Sequence, residues 1–264
     1  MPELPDVQTY KKYVDATSLH QQIQTVTVRN RRILKGISPN KLKSELQRHC
    51  FQSTTRYGKY LFVKTNNNYW LTLHFGMTGF LKYFKNDEKS GPHDRLIIAF
   101  ENGYNLTYVC QRLLGTIRLV ISIDRFVNDS RLGPDALNID FERFKKILQE
   151  SRGAVKSTLM NQKRIAGIGN IYSDEILFQS NVHPETISSK LNHEQIRKIY
   201  HNMGKVLKKA IARQADPNKL PNLYLLPHRQ KEKSCPRCNG ILKTTKVMGR
   251  TAYFCPNCQK NKKG

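Results

Sequence analysis

Four cysteines near the C-terminal end constrain this chain more than any other feature. Cys235-x2-Cys238 and Cys255-x2-Cys258 are separated by sixteen residues, the spacing of a tetrahedral four-thiolate zinc site. Each C-x2-C pair spans a tight turn that aims two thiolates at one point, and Pro236 and Pro256 sit inside those turns. The intervening segment is long enough for a β-hairpin, so the spacing predicts a zinc ribbon holding one structural Zn2+. The alternative is two unrelated thiol pairs in a reducing compartment. Cys50 and Cys110 have no partner at ligand spacing and are expected to be small buried hydrophobes.

Upstream of the ribbon the pattern has two halves. After a helical segment from Asp6 to about Leu19, β-rich runs fall at Ile23–Val28, Tyr60–Lys64, Tyr69–His74, Phe80–Phe84, Leu96–Phe100, Tyr104–Val109 and Thr116–Ser122. They are short, rich in Val, Ile, Tyr and Phe, and separated by Asn, Gly and Pro turns, which predicts a β-sandwich or barrel. One helix interrupts them at Lys41–His49. At Leu132-Gly133-Pro134-Asp135 the periodicity changes from strand to helix, and the domain boundary is placed there. Val155–Lys163 and Asn170–Ser180 read as helices. The clearest helix runs from Asn192 to about Arg213: Asn192 and Gln195 form a capping box, and Ile196, Ile199, Tyr200, Met203, Val206, Leu207 and Ile211 make one apolar stripe. Its Lys198, Lys205, Lys208 and Lys209 read as a solvated face. The fold class expected is α+β, with domains at 1–131 (sandwich led by a helix), 132–222 (helical) and 223–264 (ribbon).

Charge speaks to partners. Lys and Arg number 45 against 20 Asp and Glu, a net charge of +25. Residues 201–264 hold 15 Lys and Arg, including the short basic tail Lys260–Lys263, with only Asp216 and Glu232 as acids. A polyanion is the expected partner, and nucleic acid is the commonest one. No apolar run approaches the ~18 residues of a spanning helix. The opening MPELPDV carries acids where a secretory signal has basic residues. A cytoplasmic protein is expected, without a membrane.

Two features are odd for a plain DNA-binding module. Trimming Met1 from Met1-Pro2-Glu3 exposes a secondary amine on Pro2. With a reference pKa near ~8, an α-amine is largely available as a neutral nucleophile for Schiff-base chemistry at a sugar C1′ or a carbonyl. Glu3 beside it is a candidate acid/base. Gly167-Ile168-Gly169-Asn170 lies between two helices, and such turns present backbone N–H groups to phosphate. Asn170 is expected either to cap the following helix or to donate its amide to phosphate. An ordinary helix–turn–helix connection reads equally well.

Together these segments resemble the formamidopyrimidine-DNA glycosylase/endonuclease VIII family of base-excision repair enzymes. The resemblance runs through Met1-Pro-Glu-Leu-Pro-Asp6, Arg56-Tyr-Gly-Lys-Tyr-Leu61, His74-Phe-Gly-Met-Thr-Gly79, Leu132-Gly-Pro-Asp135, Ala166-Gly-Ile-Gly-Asn-Ile-Tyr-Ser-Asp-Glu175 and the ribbon with Gly249-Arg250. It covers essentially the whole chain, and the Pro-Glu-Leu-Pro start is similar to the formamidopyrimidine branch. It implies a helical domain of the helix-two-turn-helix type and a monomer acting on double-stranded DNA with damaged bases or abasic sites. The damaged nucleotide would be flipped out of the duplex. Pro2 would then attack C1′, expel the base and leave an iminium that undergoes β- and δ-elimination, with Glu3 moving protons. By the same resemblance Lys59 assists catalysis, Arg250 grips phosphates around the flipped nucleotide, and His93, Arg112, Arg152, Lys156 and Asn170 contact DNA. Met77 enters the gap left by the flipped base. Read alone, Lys59 is a surface strand residue, Met77 a core residue, His93 a turn histidine, and Arg152 and Lys156 are solvated charges.

Departures from the family pattern bear on substrate choice. Where the formamidopyrimidine branch reads Asp-Pro-Arg-Arg-Phe-Gly, this chain has Cys110-Gln-Arg-Leu-Leu-Gly115, so Leu114 replaces an aromatic wedge. Asp6 and Asn161 stand where Glu and Asp are usual. Only Ala212–Asn222 connects the long helix to Leu223, where 8-oxoguanine-specific members carry a longer excursion, so 8-oxoguanine is expected to be a poor substrate. Two other classes compete: a silent DNA-binding relative, and an RNA-binding zinc-ribbon protein of the translation machinery. The second does not explain the Pro-Glu start.

Overall fold

Alternating burial builds the first half. The computed structural model describes residues 1–85 and 90–260, so the end of the basic tail, 261–263, lies outside the described residues. The chain divides into two units: residues 1–2 with Asp6–Ser130, and residues 3–5 with Arg131 onward. In chain order the first half carries helix α1 (Leu4–Thr17), β1 (Ile23–Val28), α2 (Pro39–Leu46), β2 (Phe51–Tyr57), β3 (Tyr60–Thr65) and β4 (Trp70–His74). It continues with β5 (Gly79–Lys85), β6 (Asp94–Phe100), β7 (Tyr104–Cys110), β8 (Thr116–Val120) and α3 (Ile123–Asp129).

Two four-stranded antiparallel sheets result, ordered β1-β6-β7-β5 and β2-β3-β4-β8. β6 shows the period of two: Asp94, Leu96, Ile98 and Phe100 are buried and their neighbours are not. Their inward side chains join Ile23, Phe51, Leu61, Val63, Leu73, Leu106, Tyr108 and Ile117, with Val7 and Val14 from α1, in one apolar core. The expected sandwich led by a helix is present.

Some elements of this half differ from expectation. β2 was not foreseen: its sequence FQSTTRY offers few aliphatic residues because, as an edge strand, it buries only Phe51 and Thr54 among its solvent-facing positions. The run from Thr116 stops at Val120, because Ser122 is the N-cap of α3 and accepts from the Arg125 N–H. The interrupting helix starts earlier than Lys41, at Pro39, behind the Ser38 cap, which accepts from the Lys41 N–H.

The second unit is helical: α4 (Phe141–Gln149), α5 (Val155–Met160), α6 (Asn170–Gln179) and α7 (His193–Ala212). α7 has the full capping box, with Asn192 accepting from the Gln195 N–H and Gln195 accepting from the Asn192 N–H. Its stripe packs with Phe144, Leu148, Leu159, Ile176, Leu177 and Leu4. α5 ends at Met160 rather than Lys163, with Asn161 in extended conformation at its C-cap.

The ribbon hairpin is β9 (Lys243–Val247) paired with β10 (Arg250–Phe254). Met248 and Gly249 form its two-residue turn, both at positive φ (47° and 70°), as a type I′ connection requires. The ribbon is fastened to α6 within this unit. The Arg237 guanidinium stacks 4.3 Å over the Phe178 ring and donates to the Phe178 carbonyl at 3.1 Å and Asn181 Oδ1 at 2.9 Å. Gln259 donates to the Val182 carbonyl at 2.8 Å.

Candidate functional site

Glu3 has the most specific environment of the expected residues. It is 1% exposed. Its carboxylate accepts from the N–H groups of Gly169 at 2.6 Å, Ile171 at 2.8 Å and Tyr172 at 3.3 Å. α6 has Gly169 at its N-cap and no side-chain cap of its own, so Glu3 satisfies helix N–H groups that otherwise lack partners. The Leu4 N–H adds a 3.0 Å bond to the Gly167 carbonyl. A Cβ on Gly167 would fall 2.6 Å from Leu4 Cδ1, so this close approach requires glycine.

This corrects the reading of the Gly167–Asn170 turn. One amide of that turn, that of Gly169, is filled by an internal carboxylate, as are the amides of Ile171 and Tyr172 just inside α6. Asn170 does not cap α6: it is the first helical residue, and its Oδ1 is buried without a hydrogen-bond partner. The turn itself is braced by Gln162, which sequence reasoning missed. Gln162 donates to the Ile168 carbonyl at 2.7 Å and accepts from the Gly167 N–H at 3.0 Å.

Lys156 is corrected as well. Expected as a phosphate contact or a solvated charge, it is 0% exposed. Its Nζ donates to the Asn170 carbonyl at 3.0 Å and Ser173 Oγ at 3.1 Å, and forms an ion pair with buried Asp174. All its donors point inward, so it has none to offer a DNA strand. Asp174 is also held by Arg229, with Nη2 at 2.8 Å and Nε at 2.9 Å, and Arg229 stacks 4.5 Å over the Tyr253 ring of β10. Burial pushes the Lys156 ammonium down and the Asp174 carboxyl up, against their mutual attraction. The only hint of this cluster in the sequence is Asp174-Glu175 directly before the apolar run Ile176-Leu177-Phe178.

Glu175 accepts from the Leu226 N–H at 2.7 Å and from Gln179 Nε2 at 2.7 Å. It thereby ties the segment after α7 to α6. Burial lifts its carboxyl to about 7, opposed by these hydrogen bonds and by the Arg237 charge. Arg152 and Arg250 are exposed, Arg250 beginning β10 directly after the hairpin turn.

In the first unit, Pro2 is half-buried. Lys59 is not a surface strand residue: it lies in the Gly58–Lys59 turn between β2 and β3 and is 7% exposed. Its charge, after burial, holds the His74 imidazole down at about 4. Met77 is half-buried in the turn joining β4 to β5, not in the core. Arg112 is exposed in the segment joining β7 to β8. His93 is half-buried, with Nδ1 3.2 Å from Arg95 Nη2.

The four cysteines converge as the spacing predicted. Their sulfurs all lie within 4.8 Å of one another, with Cys235 Sγ to Cys258 Sγ at 3.8 Å and Cys238 Sγ to Cys255 Sγ at 3.5 Å. Zn–S bonds of ~2.3 Å in a tetrahedron separate the sulfurs by roughly 3.8 Å. The donor set therefore fits one zinc ion, which ties together the two turns that carry β9 and β10.

Comparison with known proteins agrees with this geometry. Three family models match consecutive parts of the chain: the formamidopyrimidine-DNA glycosylase N-terminal domain over residues 1–117, its H2TH domain over 132–220, and a zinc finger found in FPG and IleRS over 233–261. The formamidopyrimidine-DNA glycosylase of Mycoplasma genitalium is 33% identical over 98% of this chain and 96% of its own length. That of Solibacter usitatus is 33% identical over 98% of this chain and 100% of its own. Among solved structures, a complex of Lactococcus lactis Fpg with DNA containing an abasic site superposes with a TM-score of 0.90. It is 27% identical and covers 98% of this chain and 100% of that one. The same enzyme with N7-benzyl-Fapy-dG DNA gives 0.89, also at 27% identity over 98% and 100%. Among the described residues no helix is long and apolar enough to cross a membrane.

One structural zinc per chain is the expected metal content, measured by atomic emission. Chelation or Cys238→Ser should open residues 235–258 to protease while α7 stays protected. A ribbon equally resistant without metal would remove the structural role. Glu175 gives a pH test. Its carboxyl at about 7 lies above the ordinary 4.5, so between those values the folded chain holds a proton that the unfolded chain has released. Its stabilising contribution is full below about 4.5 and is lost as pH rises to about 7, by at most about 3 kcal/mol. Urea unfolding at pH 5 and pH 8 should show Glu175→Gln losing less stability over that interval than the wild type.

Proposed function

The chain belongs to the formamidopyrimidine-DNA glycosylase family and is a DNA glycosylase of base excision repair, and from that premise we propose that it is bifunctional, with Pro2 as the nucleophile and duplex DNA carrying a damaged base or abasic site as substrate. The observation that carries the assignment is Glu3. Three helix N–H groups fix its carboxylate, and with it the peptide that leads directly to Pro2.

Removal of Met1 turns the Pro2 nitrogen from a tertiary amide into a secondary amine. Its lone pair forms the N–C1′ bond as the bond from C1′ to the base breaks, and the base leaves with that electron pair and takes up a proton. The new N+–H gives up its proton so that the nitrogen lone pair can push O4′ out. Opening of the sugar ring at O4′ gives the iminium, which acidifies C2′. Loss of the C2′ proton expels the 3′ phosphate, and a second elimination expels the 5′ phosphate. Water then releases Pro2. Glu3 serves the proton transfers at the opening sugar, and Lys59 places a cation on the same catalytic unit as Pro2.

The remaining assignments are contacts. Arg250, exposed at the start of β10, holds phosphates around the flipped nucleotide, and zinc acts by fixing the hairpin that carries it. Arg112, Arg152, His93 and the Asn170 side chain contact backbone phosphates or the opposite strand. Lys156 stands behind Asn170 and supports it from within. Met77 fills the space of the flipped base, where an apolar side chain offsets part of an unstacking cost of a few kcal/mol. Leu114, 50% exposed, faces the opposite strand with an aliphatic surface instead of a ring. The enzyme works as a monomer in the cytoplasm, and the domains divide at 131/132 and 222/223.

The short connection after α7 supports a choice of substrate. From Arg213 it turns back on itself through hydrogen bonds from Ala215 to Ala210 and from Asp216 to Arg213, and Leu220 is already buried. No extended excursion covers a flipped purine there. Ring-opened purines, hydantoins, oxidised pyrimidines and abasic sites are the substrates, and 8-oxoguanine is a poor one.

Borohydride trapping on a duplex with one abasic site, run beside intact-mass analysis for loss of Met1, tests the chemistry. A covalent adduct is expected, and Pro2→Gly should abolish it or move it to another amine. Correctly trimmed protein that gives no adduct would instead favour the silent-binder reading. Under single turnover, formamidopyrimidine excision should exceed 8-oxoguanine excision by about tenfold or more, the effect of a missing interaction of about 1.4 kcal/mol. Comparable rates would remove the role given to the short connection.

A further inference from the structure

Two loops of the first unit are fastened back to back: the Phe75–Gly79 turn and the Gln111–Gly115 segment. Tyr108, buried in β7, donates its hydroxyl proton to the His74 carbonyl at 2.9 Å. The Arg112 N–H donates to Thr78 Oγ1 at 3.3 Å. Between these struts the loops touch through glycines. A Cβ on Gly76 would lie 2.5 Å from the Leu114 carbonyl carbon, and one on Gly115 would lie 1.6 Å from the Tyr108 hydroxyl and 2.8 Å from the His74 carbonyl oxygen. The obstacles are backbone or a buried ring, so neither loop has room to slide.

The turn carrying Met77 is also closed on itself. The Gly79 N–H donates to the Phe75 carbonyl at 2.8 Å, and the Gly76 N–H donates to His74 Nδ1 at 3.3 Å. Burial and the Lys59 charge lower the His74 imidazole to about 4, which favours the neutral ring that an accepting Nδ1 requires. The Phe75 ring packs between Tyr10 at 4.5 Å and Tyr108 at 5.7 Å. On the other loop Leu113 takes φ +54°, a left-handed conformation costing about 1–2 kcal/mol for a residue with a side chain. Strain of this kind persists only where its surroundings impose it.

We propose that Tyr108 is a positioning residue for duplex opening, locking the Met77 turn and the Arg112–Leu114 segment into one preformed block so that Met77 and Leu114 enter the helix together. The proposal rests on the reading of Met77 and Leu114 as the side chains that occupy the opened stack. A loop that had to be ordered during insertion would add its entropy to the cost of unstacking; a block already ordered does not. Tyr108 touches neither sugar nor base, and its hydroxyl is used on the His74 carbonyl.

Tyr108→Phe keeps the ring and removes the donor. Single-turnover release of a lesion paired in duplex DNA should fall about fivefold, the effect of one neutral hydrogen bond. Borohydride trapping on a single-stranded oligonucleotide with one abasic site, which has no paired stack to open, should be unchanged. An equal fall on both substrates would mean a general structural role and would overturn the proposal, as would no fall on either. Should Tyr108→Phe fail to fold, Thr78→Val removes the second strut at a half-buried position and must give the same split. Met77→Ala separates the two levels of the argument. If it shows no duplex-specific loss, the reading of Met77 fails and the proposal with it. If it shows that loss and Tyr108→Phe does not, only the lock is overturned.

Discussion

A carboxylate from residue 3 occupies the amino end of a helix that begins at residue 170, and much of the second unit is organised around that contact. α6 starts without a side-chain cap of its own. Without Glu3 its first amides would face one another's positive ends in a buried turn, at a cost of the order of 1–3 kcal/mol for each unsatisfied donor. With Glu3 in place, Leu4 closes over Gly167 and joins the helical core. The beginning of the chain is thus held by side-chain and backbone bonds on both sides of the same residue. Such an anchor orders a segment of a kind that is ordinarily among the least ordered in a domain.

The far end of the same helix turn meets a second constraint. Buried Lys156 and Asp174 and half-buried Arg229 form a series of charges that ends on the Tyr253 ring, so the start of α6 and the strand that begins at Arg250 share one electrostatic network. Such networks contribute little net stability, because desolvation offsets most of the attraction. Their members are nonetheless interdependent, since removing one strands the others in a low-dielectric interior. Zinc fixes the ribbon internally, while Arg237, Gln259 and Arg229 fix it to the helices. Arg250 is therefore held at the tip of a support that is rigid at both levels.

The sandwich, the capping box of α7 and the zinc ribbon were legible because each is written in local sequence: period-two burial, an Asn-x-x-Gln signal, and paired cysteines. β2 was not, because an edge strand with one working face has no apolar run to announce it. The environments of Lys156 and Asn170 were illegible for a different reason. Whether a lysine is solvated or buried depends on a carboxylate 18 residues away on the next helix. Whether helix amides are open to phosphate depends on a residue at the other end of the chain. Family resemblance identified Glu3 and Lys59, but it did not reveal that Glu3 acts as the cap of α6. Gln162, Arg229 and Tyr108 carry no motif at all, since each acts by filling one donor or acceptor made available by the tertiary fold.

The contact between Gly115 and the Tyr108 hydroxyl extends beyond this molecule into its descent. Gly115 is required by an oxygen that would lie 1.6 Å from any added Cβ, rather than by a turn of its own. Position 115 is therefore not free to drift while position 108 keeps its phenol and the strand carbonyl keeps its place. Loss of the phenol oxygen alone would not release position 115, because the His74 carbonyl oxygen would still lie 2.8 Å from an added Cβ. The dependence runs one way: the tyrosine can be exchanged while the glycine stays, but the glycine cannot be exchanged while the tyrosine stays, so the glycine should be the more widely inherited of the two.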